Sequence, residues 1–210
     1  MTDAVRHRTE ATALRALARS GLPVPELVEV TSDSLLMTLM PGERLDASDD
    51  DARLGRLGSS MDLLRRLHTL ALPAALPPAP DDAAIIRRYR DRGGPPLPLV
   101  VPEPERPVFC HGDWTDGNVL AVGDRITAVV DWEAAHLGDP LRELSRAAWA
   151  AARKDPRALD VLVTAYGAEP DRVRQWLPVH AAELWLWFAE AGPPAYLGRL
   201  TAELTDWPHA

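Results

Sequence analysis

The pattern of apolar and polar positions divides the chain into short strands and amphipathic helices. Residues 7–20, HRTEATALRALARS, place Leu14, Leu17 and Ala18 on one stripe and end at Ser20-Gly21, with Pro23 beyond, which predicts a helix. Glu10 lies one turn before Leu14 on that stripe, so an acid faces inward where a leucine is expected. ELVEVT (26–31) and SLLMTLM (34–40) read as strands joined by Ser32-Asp33, and Pro41-Gly42 breaks the chain after them. Leu54, Leu57, Met61 and Leu64 predict a long helix over 46–70. His68 continues its spacing; a lone histidine on an apolar stripe reads as a satisfied core residue before a catalytic one.

Further along, proline clusters flank a short helix, DDAAIIRRYRDR. Residues 119–122 and 125–130 read as two strands around a Gly123-Asp124 turn. Helices follow over roughly 140–153, 156–167, 171–191 and 195–206. The expected class is therefore α+β, with no internal repeat and no stretch that looks like a flexible linker.

Composition narrows the function classes. Of 210 residues, 46% are hydrophobic and 26% charged, the balance of a soluble globular protein. A net charge of −8 argues against a nucleic-acid or membrane partner and favours a cationic small molecule. The lone Cys110 excludes an internal disulfide and a cysteine-based structural zinc site. The most apolar run, 176–191, is too short to span a bilayer and contains His180, Glu183 and Glu190. With no apolar signal core at the N-terminus, a cytoplasmic protein is expected.

The densest chemistry lies in CHGDWTDGNV (110–119) and VVDWEAAHLGDP (129–140). A two-residue turn puts Asn118 opposite Val129, so Asn118 and Asp131 meet at the open end of the hairpin. A carboxamide oxygen and a carboxylate, with few other protein ligands, suit Mg²⁺, which keeps waters and takes phosphate oxygens. Asp113, on the loop entering the hairpin, is placed to accept the proton of an attacking hydroxyl. Taken singly, each of these residues is an ordinary turn or cap residue. Together, His-x-Asp-x4-Asn followed by Asp thirteen positions on is the spacing of a kinase catalytic loop and its metal-binding aspartate.

FCHGDWTDGNVL together with VVDWEAAHLGDP resembles the aminoglycoside phosphotransferase and choline kinase-like family, relatives of the protein kinases. EATALRALARSGLPVPELVEV, LLMTLMPGERL and LLRRLHTL extend the resemblance to that family's inward-glutamate helix, hinge strand and Leu-His helix. The resemblance implies a protein-kinase-like fold with a truncated N-lobe over 1–42 and a mainly helical C-lobe over 43–210. It implies that Asp113 is the catalytic base, that His111 braces the loop, and that Asn118 and Asp131 bind Mg²⁺. Backbone groups of Met37, Thr38, Leu39 and Met40 would meet the adenine of ATP, the phosphoryl donor, and a small-molecule hydroxyl would be the acceptor. Asp139-Pro140 reads as an N-cap followed by proline at the first helical position.

A kinase of this kind also clamps phosphates with a Gly-rich turn and a lysine that pairs with the inward glutamate. Here the N-terminal part of the nucleotide lobe is missing ahead of Glu10, and the sole lysine is Lys154. Removing one preorganised charge-stabilising group costs on the order of 10²–10³ in rate. Three readings follow: a phosphotransferase with an abbreviated nucleotide lobe, a late-start fragment of a complete kinase, or a catalytically weak or inactive kinase-like binding module. For the acceptor, His180, Glu183, Trp187 and Glu190 share one face of the 171–191 helix. Glu183, Trp187 and Glu190 would suit a cationic acceptor; alternatively Trp185 and Phe188 face the core and these acids are solvated.

Overall fold

The computed structural model describes residues 3–47 and 51–207. Helix α1 (Asp3–Leu17) buries Ala11, Ala13, Leu14 and Leu17, whereas Ala18 falls in the turn beyond it and is exposed. Strands β1 (Leu27–Val30) and β2 (Leu35–Met37) form a two-stranded antiparallel ladder. Strand β3 (Glu43–Arg44) follows, and a short 3-10 turn over Leu45–Ala47 stands where the helix expected over 46–70 would begin; the part of that expectation over 48–50 lies outside the described residues. Helix α2 (Asp51–Leu67) buries Leu54, Leu57, Met61 and Leu64, the expected stripe. Helix α3 (Asp82–Asp91) begins at Asp81, whose side chain accepts the Ala84 N–H, a standard N-cap.

Strand β4 (Val108–Cys110) pairs antiparallel with β7 (His136–Gly138), and between them lies the hairpin of β5 (Val119–Val122) and β6 (Arg125–Val129). β3 adds itself to β5, so the chain just after Gly42 joins the hairpin sheet. Gly123 has φ +57°, as the first central residue of a II′-type turn requires. All three sheets are antiparallel.

The remaining chain is helical: α4 (Pro140–Ala152), α5 (Ala158–Tyr166), α6 (Pro170–Arg174), α7 (Leu177–Glu190) and α8 (Pro194–Thr205). The single helix expected over 171–191 is two, because the chain turns at Gln175-Trp176 before Pro178 opens α7 in its first turn. α4 starts where expected, with Asp139 accepting the N–H groups of Leu141 and Arg142. α2 packs on α5, α5 on α4 and α3 on α7, while α1 lies against the turn at Trp132–Ala134. Trp114 and Trp132 are fully buried beside the loop that carries Asp113, so the core supports that loop from beneath.

Candidate active site

The loop from Cys110 to Asn118 is shaped by a glycine and an asparagine. Gly112 has φ +87°, and a Cβ there would lie 2.1 Å from the Ala134 carbonyl oxygen, so no larger residue fits. Asn118 donates from Nδ2 to the Asp113 carbonyl oxygen (2.9 Å) and to Asp113 Oδ2 (3.1 Å). Its own carbonyl accepts the Val130 N–H at 2.9 Å. Asn118 therefore faces Val130, one residue beyond the expected Val129. The cause is a bulge: Leu120 pairs with Ala128 and Ala121 with Ile126, leaving Thr127 as the extra residue. Thr127 uses its hydroxyl on the Pro41 carbonyl at 2.6 Å, which ties the hairpin to the segment after β2.

Asp131 comes next, in the left-handed region at φ 66°, the lone non-glycine with positive φ among the described residues. Its carboxylate is exposed, and no protein donor pairs with it among the described residues. The fixed amide of Asn118 leaves Oδ1 unused by Asp113. A free carboxylate and a free amide oxygen on adjoining positions of the hairpin mouth form a donor set that fits a hard divalent cation.

His111 is fully buried beneath the loop. Its Nδ1 accepts the Asp113 N–H at 3.1 Å and its Nε2 meets the Val130 carbonyl at 3.0 Å. Burial lowers its pKa, so the neutral tautomer with the proton on Nε2 is favoured. Behind it lies a network the sequence reading did not anticipate. Glu143, on α4, takes the Gly112 N–H on Oε1 at 2.6 Å and His68 Nε2 on Oε2 at 2.7 Å, while His68 Nδ1 meets the Tyr166 hydroxyl at 2.7 Å. Burial alone would raise the Glu143 pKa, but the His68 hydrogen bond and nearby imidazoles outweigh it and hold the carboxyl below its usual range. Cys110 adjoins this network and is fully buried; burial and Glu143 push its thiol far up, so it is a core residue.

The inward acid of α1 meets the backbone just after Asp131 in place of a cation. Glu10 Oε1 accepts the Trp132 N–H at 3.2 Å, and burial raises its pKa. Arg6, one turn earlier, pairs with Glu133 at 2.9 Å. The sole lysine, Lys154, lies 2.9 Å from Asp116, on the far flank of the loop.

A cavity of about 530 Å³ opens in front of Asp113. Glu183 and Trp187 line it, as do Arg146, Trp149 and Glu133. Glu190 does not: it lies one-and-a-half to two turns further along α7 and is held by Arg88 at 2.5 Å. Trp185 is buried and bonds Thr201, so part of the core-facing alternative also holds. Glu183 is not simply solvated, since Arg142 (3.2 Å), His180 (3.4 Å) and Arg146 (3.7 Å) surround it. Those partners overcome the effect of burial and depress its pKa strongly. Arg146 was missed by the sequence reading; Arg142, Arg146 and Trp149 fall at helical offsets on α4, a signal that the motif nearby overshadowed.

Of the expected adenine contacts, Met37 ends β2 and the Thr38 N–H is taken by the Glu26 carbonyl at 2.9 Å. Leu39 and Met40 make no backbone hydrogen bond among the described residues.

Residues 80–176 match the model of the Phosphotransferase enzyme family. The chain resembles the aminoglycoside phosphotransferase and choline kinase-like family. Among solved structures it is similar to a choline/ethanolamine kinase family protein from Mesorhizobium loti, with a TM-score of 0.71 at 21% identity over 96% of this chain and 80% of that one. It is similar also to an aminoglycoside phosphotransferase in ternary complex with ADP and hygromycin B, with a TM-score of 0.68 at 17% identity over 97% and 82% of the two chains. A curated relative, acyl-CoA dehydrogenase family member 10 of Mus musculus, is 25% identical over 165 residues, 63% of this chain and 15% of its own length. The α+β architecture is thus the protein-kinase-like fold of these phosphotransferases, with α1, β1 and β2 preceding a mainly helical remainder. No helix among the described residues is long and apolar enough to cross a membrane.

Proposed function

We propose that the chain transfers the γ-phosphoryl group of ATP to a hydroxyl of a small molecule. The observation that carries this reading is the double use of Asn118. Its Nδ2 is fixed on Asp113 at 2.9 and 3.1 Å, which leaves Oδ1 for a cation, and the Asp131 carboxylate, without a protein partner among the described residues, follows directly on Val130, which faces Asn118. Asn118 and Asp131 would hold Mg²⁺, which supplies neutralisation of the donor phosphates.

The remaining chemistry belongs to side chains of this chain. Asp113 takes the proton of the acceptor hydroxyl as its oxygen forms the new bond to phosphorus and ADP leaves with the old bonding pair. His111, kept neutral by burial, fixes the Asp113 backbone from Nδ1, and Glu143 fixes Gly112. Free backbone groups of Leu39 and Met40 are placed to meet adenine at the edge of β2. The ADP and hygromycin B of the solved neighbour support a nucleotide donor and a small hydroxyl acceptor.

Calorimetric titration with ATP, with and without Mg²⁺, tests the reading. Weak binding that depends on Mg²⁺, lost in Asp131→Ala, and Mg²⁺-dependent ADP formation are expected. Tight metal-independent ATP binding would overturn the assignment of Asn118 and Asp131.

A further inference from the structure

The place in front of the base is already filled by a cation of the protein. Arg146 reaches across the cavity and donates from Nε (3.2 Å) and Nη2 (3.0 Å) to Asp113 Oδ1, while its Nη1 lies 3.7 Å from Glu183. With Asn118 on Oδ2, both oxygens of the base carry protein donors. A carboxylate offers about four lone-pair sites in all, and Arg146 meets Oδ1 with two donors while Asn118 meets Oδ2 with one, so little of the carboxylate is left for an acceptor hydroxyl.

The cavity's other charges are matched in the same way. Glu133 is paired with Arg6, and Glu183 with Arg142 and Arg146. Among the described residues, no acid lining the cavity is left unpaired to receive a cationic acceptor. Arg146 alone among these cations touches Asp113, and its side chain, 35% exposed, lines the cavity together with Trp149 and Trp187.

We infer that the acceptor is a hydroxylated anion, bearing a carboxylate or phosphate that Arg146 captures. The inference rests on the phosphotransferase reading of Asp113. An anion that draws the Arg146 fork to itself forms a charge-assisted, bidentate contact. The same movement withdraws two donors from Asp113 Oδ1 and exposes it to the acceptor's hydroxyl. Binding the correct acceptor and freeing the base are then one event, and a hydroxyl without the anion, water included, meets an occupied base. Arg146 is in this view an acceptor-binding residue that also gates Asp113.

Side-chain NMR of Arg146 tests this without turnover, so its outcome is separate from any failure to detect phosphoryl transfer. The Arg146 Nε–H signal is assigned by its loss in Arg146→Gln. Three six-carbon polyhydroxylated probes of different charge are titrated: gluconate, glucose and glucosamine. Gluconate is expected to shift the signal saturably and the other two to leave it in place. Arg146→Gln should weaken gluconate binding about 10- to 100-fold, the worth of a hydrogen bond to a charged group, while Mg²⁺-AMP-PNP binding is retained. Displacement by glucosamine would make Arg146 a stand-in for a cationic acceptor and overturn the inference. A shift on Mg²⁺-AMP-PNP alone would assign Arg146 to the donor phosphate, and no response to gluconate would likewise end the idea.

Discussion

Asn118 donates to both the backbone oxygen and the carboxylate of Asp113, at 2.9 and 3.1 Å. On the proposed mechanism one amide would both orient the base and keep its oxygen for a metal, two tasks that a carboxylate could not share. Asn118→Asp retains an oxygen ligand but removes both donors and sets a like charge against Asp113. The expected result is a fall in turnover of about 10²-fold or more, the scale of a misplaced general base, with Mg²⁺ binding retained. Measuring kcat and the Mg²⁺ dependence of nucleotide binding on one preparation checks this; loss of both together would show that the side chain serves the metal alone.

Asp113→Asn is nearly isosteric and cannot take a proton. Phosphoryl transfer should drop by about 10²–10⁴, with the fold preserved. The ion pair it removes joins two side chains that are each 35% exposed, so the stability change should stay within about 1 kcal/mol. Turnover equal to wild type would place the base elsewhere.

Gly112→Ala tests the loop rather than the base. At φ +87° the added methyl would meet the Ala134 carbonyl oxygen at 2.1 Å, so the backbone must move. A loss of at least about 2 kcal/mol is expected from the left-handed strain and the clash together, along with the Gly112–Glu143 hydrogen bond. Unchanged thermal stability would mean that the loop has a second conformation of equal energy.

These sites show where sequence was informative. The placement of Asp113, Asn118 and Asp131 was legible because one loop and a tight hairpin hold them at short, rigid spacings along the chain. The register was misread by one residue because the bulge at Thr127 depends on a bond to Pro41, 86 positions away. β7 is three residues long and is held by β4 on one side and by the 77–79 segment on the other, partners distant in sequence, so no local pattern marks it. Glu190 shares a helical face with Glu183 but lies too far along the axis to reach the cavity, which periodicity alone does not reveal. Arg146 and Glu143 escaped notice because a charged residue on a helix reads as solvated until its partners are in place.

Stability should fall on acidification in two stages. Burial holds His111 and His180 below their usual 6.5. The unfolded chain therefore binds more protons, and the stability these imidazoles contribute is full above pH 6.5 and lost below it. Glu143 and Glu183 are depressed below 4.5, so their contribution is present above pH 4.5 and lost as pH falls through their folded values. His180→Gln, which removes the bond from Nε2 to the Arg142 carbonyl at 2.6 Å, should lower Tm at neutral pH and flatten the first stage. Thermal melts across that range check it; a Tm independent of pH between 6.5 and 5 in wild type would contradict the buried neutral state.

Glu10 separates retention for stability from retention for function. Burial raises its pKa, Asp131 and Glu133 add repulsion, and the Trp132 N–H is the hydrogen bond that offsets them. Glu10→Gln keeps an oxygen to accept that N–H and removes the desolvated charge. The variant should therefore be as stable as wild type or better, with Tm higher by about 1–3 °C for a chain of this size. The sign follows from the raised pKa: a group that holds its proton more tightly when folded destabilises the fold as pH climbs past its unfolded value, so the gain should be largest at neutral and alkaline pH. If Glu10 also helps set the metal loop through Trp132, the next residue after Asp131, the same variant should bind Mg²⁺-ATP more weakly. A stabilised variant with weakened nucleotide binding would mark Glu10 as an acid kept for function at a cost in stability. A destabilised one would show that its charge is matched by a partner, and that α1 depends on it.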